Sequence, residues 1–196
     1  MKHFNNIYFM GIGGIGMSAL ARYFLHEKKM VAGYDRTRTP LTEQLEAEGA
    51  QVHYEESLEA IGEEFRDKEE VLVVYTPAIP ADHKEWAWFR EQGFRIEKRS
   101  QMLGHLSEGK MVMAVAGTHG KTTTSTLAAW LNHAAAGEGS AFLGGISTNF
   151  ASNLVLGEGR RLVVEADEYD RSFLRLWPDV AVITATDADH LDIYGT

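Results

Sequence analysis

Residues 7–35 read IYFMGIGGIGMSALARYFLHEKKMVAGYD, and this stretch decides the fold class. The apolar run 7–10 predicts a buried strand, 14–26 a helix, and 30–34 a second strand. A strand, a helix and a strand joined by short turns form a parallel βαβ unit. The stretch therefore predicts an α/β fold built on a parallel sheet.

The same alternation continues along the chain and divides it in two. Further strands are predicted at 51–53, 71–75, 95–97, 111–116, 162–164 and 180–184, and helices at 41–48, around Trp86 with Asp82 as its cap, at 101–106, and from the loop at 117–122 to about 135. A polar, glycine-containing stretch at 104–109 separates the two groups of elements. We therefore predict two domains, residues 1–107 and 108–196.

Composition limits the classes of function. The 196 residues are 44% hydrophobic and 24% charged, as in globular proteins. A net charge of −9 argues against nucleic-acid binding, which rewards dense Lys and Arg. The absence of cysteine excludes disulfides and thiolate metal sites and agrees with a cytoplasmic location. No run approaches the roughly 18 apolar residues of a membrane helix, so no membrane partner is expected. The oligomeric state stays open.

The first glycine loop, Gly11-Ile12-Gly13-Gly14-Ile15-Gly16, lies between a predicted strand and helix and matches G-x-G-x-x-G. Such glycines permit a tight turn and a close approach of the backbone to a diphosphate, and the helix N-terminus offers free N–H groups. Asp35, at the end of the next strand, is placed to accept a hydrogen bond from a ribose hydroxyl. A purely structural role in strand–helix packing is the competing interpretation. The pattern fits NAD and a UDP-sugar equally, because both carry a diphosphate.

The second glycine loop, Gly117-Thr118-His119-Gly120-Lys121-Thr122, follows another apolar strand and resembles a phosphate-binding P-loop. In such a loop the lysine reaches the β- and γ-phosphates and the hydroxyl binds Mg²⁺. Lys121 and Thr122 fit those two roles. The general pattern expects glycine at position 115, where this chain has Val115. We predict use of ATP with Mg²⁺.

Acidic residues follow two of the predicted strands in this second domain. Glu165 ends one strand directly, and parallel strands place such residues at the binding edge of a sheet, so we predict that it binds Mg²⁺ beside Thr122. For Asp167, Glu168 and Asp187, solvated turns or caps are the competing interpretation. A lone histidine such as His190 is by itself more often a surface residue than a ligand.

Taken together, the two loops and the acidic strand ends resemble the Mur ligases of peptidoglycan synthesis. The resemblance covers nearly the whole chain and rests on four segments: 11–20 (GIGGIGMSAL), 117–124 (GTHGKTTT), 165–173 (EADEYDRSF) and 187–194 (DADHLDIY). It implies a Rossmann-like domain that binds a UDP-substrate, followed by the N-terminal part of a P-loop ATPase domain.

The resemblance also implies roles for individual residues. The loop that holds the ATP phosphates comprises Gly117, Thr118, His119, Gly120, Lys121, Thr122 and Thr123. Lys121, Glu165 and His190 are the implied catalytic residues; Thr122 and Glu165 hold one Mg²⁺, and His190 a second. The UDP-substrate is implied to contact Gly11, Gly13, Gly14, Ile15, Gly16, Asp35, Thr76 and Ala78. The family usually has Ser-Ser-Ala-Ile where this chain has Thr76-Pro77-Ala78-Ile79.

The implied reaction joins L-alanine to the carboxylate of UDP-N-acetylmuramate through an acyl phosphate, at the expense of ATP. Family members have three domains, and this chain ends inside the second. We therefore expect the 196-residue chain to bind the UDP-sugar, to bind ATP weakly, and not to turn over. The alternatives are an NAD(P)-dependent oxidoreductase, which leaves the second loop unexplained, a P-loop kinase or other NTPase, which leaves the first unexplained, and a non-catalytic UDP-sugar-binding module.

Overall fold

The computed structural model describes residues 4–195, without the side chains of Ala136, Asp170, Ser172, Asp192 and Ile193. The ends of the two predicted domains, residues 1–3 and 196, lie outside this range. The chain forms two compact units, Met1–Met102 and Leu103–Thr196. The domain boundary at 107/108 stays a prediction.

The first unit contains a five-stranded parallel sheet in the order β3-β2-β1-β4-β5. Its strands are β1 (Asn6–Met10), β2 (Met30–Tyr34), β3 (Gln51–His53), β4 (Val71–Tyr75) and β5 (Arg95–Lys98), and its helices are α1 (Ile15–His26), α2 (Pro40–Glu48) and α3 (Lys84–Glu91), with short 3₁₀ turns at Leu58–Ala60 and Glu63–Phe65. Helix α4 (Arg99–Ser107) contains the point of division between the units.

Local sequence explains the elements of this first unit. Every residue of β1 is buried, as expected for a central strand with both faces covered. Helix α2 begins with a capping box between Thr39 and Thr42 and ends at Gly49, whose φ of 110° is left-handed. The N-cap of α3 is His83, without a side-chain bond, so the prediction that Asp82 caps this helix was wrong.

The second unit is built on a mixed five-stranded sheet in the order β10-β6-β9-β7-β8. Its elements are β6 (Met111–Ala116), α5 (Lys121–Ala136), β7 (Ser140–Ser147), β8 (Ser152–Val155), β9 (Arg161–Glu165), a 3₁₀ segment (Tyr169–Arg175), β10 (Val180–Ile183) and α6 (Leu191–Tyr194). The pairs β10–β6, β6–β9 and β9–β7 are parallel, whereas β8 pairs antiparallel with β7.

Strands β7 and β8 are absent from the predicted set. Gly144, Gly145 and the polar run from Ser147 to Asn149 interrupt the apolar pattern there, which hides the hairpin. In the structure, Ala141, Leu143 and Val155 of the hairpin pack with Ala129 of α5 in a buried cluster. All of the strands that the sequence predicts are present in the structure. Within residues 4–195, no helix has the length and apolar character needed to cross a membrane.

Candidate functional site

The first glycine loop is fixed to the carboxyl end of the first sheet. The N–H groups of Gly11 and Ile12 donate to the carbonyl of Tyr34 at 2.8 and 3.0 Å, which ties the loop to the end of β2. Gly11 has φ of +88°, a conformation that favours glycine. A Cβ built on Gly11 would lie 2.7 Å from Thr76 Cγ2, so the structure brings Thr76 to this loop. Ala78 is exposed two residues further on.

The Asp35 carboxylate accepts hydrogen bonds from the backbone of the first glycine loop and of Thr37. Its Oδ2 accepts a hydrogen bond of 2.7 Å from Gly13 N–H, and its Oδ1 accepts one of 3.1 Å from Thr37 N–H. Each carboxylate oxygen therefore holds a backbone group, and each retains further acceptor capacity. The contact between Asp35 and a ribose stays a prediction.

The first turn of α1 presents positive potential. Gly14 is its N-cap, Ile15 is 37% exposed, and the first turn contains no acidic residue. The guanidinium of Arg99 lies against Gly16, with Nη1 2.7 Å from the position of a Cβ on that glycine. Arg99 is absent from the predicted site, because it lies 83 positions from Gly16 and no motif links the two residues. The helix N-terminus and the guanidinium together favour an anionic group at this end of the loop.

The second glycine loop follows β6 directly. Val115 is fully buried and pairs in register with Glu165 of β9 and Val182 of β10, so position 115 belongs to the strand and not to the turn. The turn begins at Gly117, whose φ is +121°, and a Cβ on it would overlap Thr184. Thr118 N–H already donates to the carbonyl of Ala185 at 3.1 Å.

Lys121 stands at the start of α5 with its amine held by two acceptors. Its Nζ donates to the carbonyl of Gly117 at 2.6 Å and to Glu168 Oε1 at 2.7 Å. The side chains of Lys121 and Glu168 are 16% and 15% exposed. Sequence reasoning placed Lys121 in the loop but gave no specific role to Glu168, for which no spacing rule supplies a signal.

Thr122 and Glu165 meet, as the sequence predicts for strand ends at one edge of a sheet. Thr122 Oγ1 donates to Glu165 Oε1 at 3.1 Å, and Gly144 N–H donates to Oε2 at 3.0 Å. Ser125, one turn further along α5 and fully buried, lies 3.4 Å from the same Oε2. A hydroxyl beside a carboxylate is a donor set of hard oxygen atoms, which suits Mg²⁺.

His190 lies with a different acidic group. Its Nε2 is 3.6 Å from Glu168 Oε1, and ligand atoms of Glu168, Asp189 and His190 lie within 4.8 Å of one another. Tyr169 contacts the His190 ring edge-on, with ring centroids 5.4 Å apart. The structure thus groups His190 with Glu168 and Asp189, while the Thr122–Glu165 pair forms a separate set of contacts.

A cavity of about 670 Å³ opens beside the second glycine loop. Its polar lining includes Thr118, Glu168, Asp187 and Asp189, together with the backbone at Gly117. The other walls are mostly apolar and are formed by Ala114, Ala116, Phe173, Leu176, Ala181, Ile183, Leu191 and Tyr194. This combination offers apolar surface next to the glycine loop that resembles a P-loop.

A buried polar network lies in the core of the first unit. Glu85 is fully buried and accepts hydrogen bonds from Tyr8 Oη at 2.7 Å and from Ser57 N–H at 3.2 Å, and its Oε1 lies 2.9 Å from His53 Nε2. Burial raises the pKa of the Tyr8 phenol far above its usual value, and the Glu85 carboxylate raises it further. Tyr8 therefore stays protonated and donates to the carboxylate.

Two family descriptions account for nearly the whole chain. Residues 6–111 match "Mur ligase family, catalytic domain", and residues 115–196 match "Mur ligase middle domain". The chain belongs to the Mur ligase family. This confirms the resemblance that the four sequence segments carry.

Curated Mur ligase sequences align along all or nearly all of the chain. A protein of Phocaeicola vulgatus named "UDP-N-acetylmuramate--L-alanine ligase" is 59% identical over 192 residues, which cover 97% of this chain and 42% of the relative. One of the same name from Cytophaga hutchinsonii is 54% identical over 199 residues, covering 100% and 43%. The chain therefore spans less than half the length of these relatives.

Solved Mur ligase structures share the fold. A UDP-N-acetylmuramate-alanine ligase of Thermotoga maritima superposes with a TM-score of 0.85 at 33% identity, covering 97% of this chain and 44% of that one. A UDP-N-acetylmuramate:L-alanyl-gamma-D-glutamyl-meso-diaminopimelate ligase from Neisseria meningitides gives 0.88 at 27% identity, covering 98% and 64%. These similarities confirm the predicted α/β class, with the second sheet mixed.

Proposed function

We propose that this chain provides the UDP-substrate domain and part of the ATP domain of a cytoplasmic ligase that joins L-alanine to UDP-N-acetylmuramate. The observation that carries the proposal is the P-loop in which Lys121 stands beside the Thr122–Glu165 pair, in a chain whose other unit has a separate glycine loop. The names of the relatives favour L-alanine and UDP-N-acetylmuramate as the substrates. The proposed domains are residues 1–107 and 108–196.

The first unit is proposed to bind the UDP-sugar through its diphosphate. Gly11, Gly13, Gly14, Ile15 and Gly16 supply a tight turn and a helix N-terminus, which attract an anion. Asp35 keeps the turn in shape through Gly13, and Thr76 flanks it. Ala78, two residues after Thr76, is exposed. Arg99 adds a positive charge close to Gly16.

The second unit is proposed to bind ATP. The segment Gly117, Thr118, His119, Gly120, Lys121, Thr122 and Thr123 surrounds the phosphates. Lys121 neutralises charge on the phosphoryl group that is transferred. Thr122 and Glu165 fit Mg²⁺ as oxygen ligands, and His190 is proposed for a second ion. Bound Mg²⁺ would supply charge neutralisation to the phosphates.

The proposed reaction has two steps. A carboxylate oxygen of UDP-N-acetylmuramate attacks the γ-phosphorus of ATP, which forms an acyl phosphate and releases ADP. The amine of L-alanine then attacks the acyl carbon, loses a proton and expels phosphate, which leaves an amide bond. Such catalysis depends on positioning and on neutralisation of charge, and the residues described above provide both.

Calorimetric titration of the 196-residue chain tests the first part of the proposal. UDP-N-acetylmuramate is expected to bind saturably, and NAD and NADP are expected not to bind. Binding of NAD without binding of the UDP-sugar would reject the assignment of the first loop and favour an oxidoreductase.

A second titration, with ATP and Mg²⁺, tests the P-loop. Lys121→Ala is expected to lower the affinity for ATP at least tenfold, because the phosphate loses a cationic partner. Glu158→Gln changes one exposed charge elsewhere in the same unit and is the matched control. Equal ATP affinity in Lys121→Ala and the wild type would contradict the proposal. Phosphate release with all three substrates is expected to be absent from the 196-residue chain.

A further inference from the structure

Glu168 is an acidic residue in the segment after β9, and it contacts the glycine loop that is proposed to receive polyanionic phosphate. Its Oε1 accepts a hydrogen bond of 2.7 Å from Lys121 Nζ, the amine on which the proposed ATP site depends. Its Oε2 is buried and, among the described residues, accepts no hydrogen bond. The carboxylate is thus directed at the lysine rather than toward solvent.

The ion pair leaves Lys121 with little freedom. The amine is clamped between Glu168 and the carbonyl of Gly117, and both charged side chains are more than four-fifths buried. A charged amine sheltered in this way needs an anionic partner. In the absence of nucleotide, the carboxylate oxygen of Glu168 is that partner.

Phosphate and carboxylate compete for the same donor. Both accept short, charge-assisted hydrogen bonds from ammonium groups. Glu168 and Gly117 also line the cavity beside the P-loop, so a ligand entering there meets the ion pair directly. A phosphate that binds Lys121 therefore has to replace Glu168 as the acceptor of the Lys121 hydrogen bond.

We propose that Glu168 is a positioning residue that holds Lys121 in the nucleotide-free chain and is displaced from it when the phosphates of ATP bind. This inference rests on the proposed ATP site. Glu168 therefore lowers the affinity for ATP, because the hydrogen bond between Lys121 and Glu168 has to break before Lys121 can bind a phosphate. Glu168 also holds the Lys121 side chain in position before ATP binds.

Titration with ATP in metal-free buffer tests the displacement. Glu168→Gln keeps the size of the side chain but removes its charge, and we expect ATP to bind about tenfold more tightly. Glu158→Gln removes one exposed carboxylate elsewhere in the same unit, away from the cavity lining, and is the matched control. Its expected effect is less than about twofold.

Three results of this titration would overturn the proposal: unchanged affinity in Glu168→Gln, weaker affinity in it, or an equal gain in Glu158→Gln. Glu168→Asp, which keeps the charge but shortens the reach, is expected to bind ATP between the wild type and Glu168→Gln. If Glu168→Gln is unstable, the Glu168→Asp variant makes the same comparison.

Reactivity of the lysine gives a readout that does not depend on ATP binding. Reductive methylation followed by peptide mass spectrometry is expected to modify Lys121 several times faster in Glu168→Gln than in the wild type. Exposed Lys110 is the internal control and is expected to react equally in both. Equal labelling rates at Lys121 in Glu168→Gln and the wild type would show that Glu168 does not hold the lysine, even if ATP binds. Faster labelling of Lys121 in Glu168→Gln, combined with no ATP binding to the wild type, would retain the Lys121–Glu168 contact but reject both the ATP site and the displacement.

Discussion

The backbone N–H of Gly144 lies 3.0 Å from Glu165 Oε2 and donates a hydrogen bond to it. Gly144 belongs to β7 and Glu165 ends the neighbouring strand β9. With Thr122 bonded to the other carboxylate oxygen, both oxygens of Glu165 are oriented by groups from separate elements. The proposed Mg²⁺ ligand is therefore held in place before any ligand binds.

Gly144→Ala is expected to displace this carboxylate, because a Cβ on Gly144 would overlap the Glu165 side chain. We expect a loss of about 1–3 kcal/mol in the free energy of unfolding and weaker binding of Mg²⁺-ATP. Urea denaturation and calorimetry measure the two effects. Gly145→Ala is the neighbouring control, since its Cβ would meet only a Thr122 methyl group at 3.2 Å. Equal effects of the two variants would contradict the prediction.

Thr122→Ala is expected to lower the affinity for Mg²⁺-ATP and to leave the affinity for metal-free ATP nearly unchanged, because the hydroxyl is a proposed metal ligand. Thr122→Ser retains the hydroxyl and should bind Mg²⁺-ATP like the wild type. The measurement is a pair of ATP titrations, one with Mg²⁺ and one with EDTA. Parallel losses under both conditions would show that Thr122 acts on the nucleotide without the metal.

Gly13→Ala is expected to destabilise the first unit, whereas Gly14→Ala is not. A Cβ on Gly13 would lie 2.7 Å from Thr42 Cγ2 and 2.8 Å from Asp35 Oδ2, so the loop has to move, at a cost of about 1–3 kcal/mol. A Cβ on Gly14 would meet its nearest neighbours at an ordinary 3.6 Å.

Thermal denaturation measures this difference between Gly13→Ala and Gly14→Ala, and titration with UDP-N-acetylmuramate adds a functional readout. Gly14 is exposed at the proposed diphosphate site, so Gly14→Ala is expected to lose affinity while keeping its melting temperature. Full affinity in Gly14→Ala would argue against a close approach of the diphosphate to this glycine.

Tyr8→Phe is expected to change both the stability and its pH dependence. At neutral pH the buried Glu85 loses a hydrogen bond, which is expected to cost about 1–3 kcal/mol. The folded state retains the Tyr8 proton at pH values where the unfolded chain has released it. The stability from Tyr8 is thus complete below about pH 10 and falls above it, by up to about 1.4 kcal/mol per pH unit.

Urea denaturation between pH 7 and 11 tests both effects of Tyr8→Phe. The variant is expected to be less stable at pH 7, and its stability is expected to fall less steeply than that of the wild type above pH 10. Identical slopes in the two proteins would show that the Tyr8 proton is not linked to folding.

Local pattern was sufficient for most of the strands and for both loops. Buried parallel strands such as β1, β4 and β6 are continuous apolar runs, which a sequence displays directly. Strands β7 and β8 escaped prediction because their stability comes from pairing and from packing on α5, while Gly144 and Gly145 break their pattern. Tertiary pairing outweighed local preference there.

The sequence by itself determined the α/β class, the order of the two loops, and the resemblance to the Mur ligases, because these depend on residue types at short, fixed spacings. It also placed Glu165 with Thr122, since parallel strands end at one edge of a sheet.

Only the tertiary structure decided which distant side chains meet. Arg99 lies on Gly16, Gly144 orients Glu165, and Glu168 holds Lys121. The last two contacts join residues 21 and 47 positions apart. Such contacts depend on how strands are ordered and how side chains pack between them, and no local spacing along the chain records that arrangement.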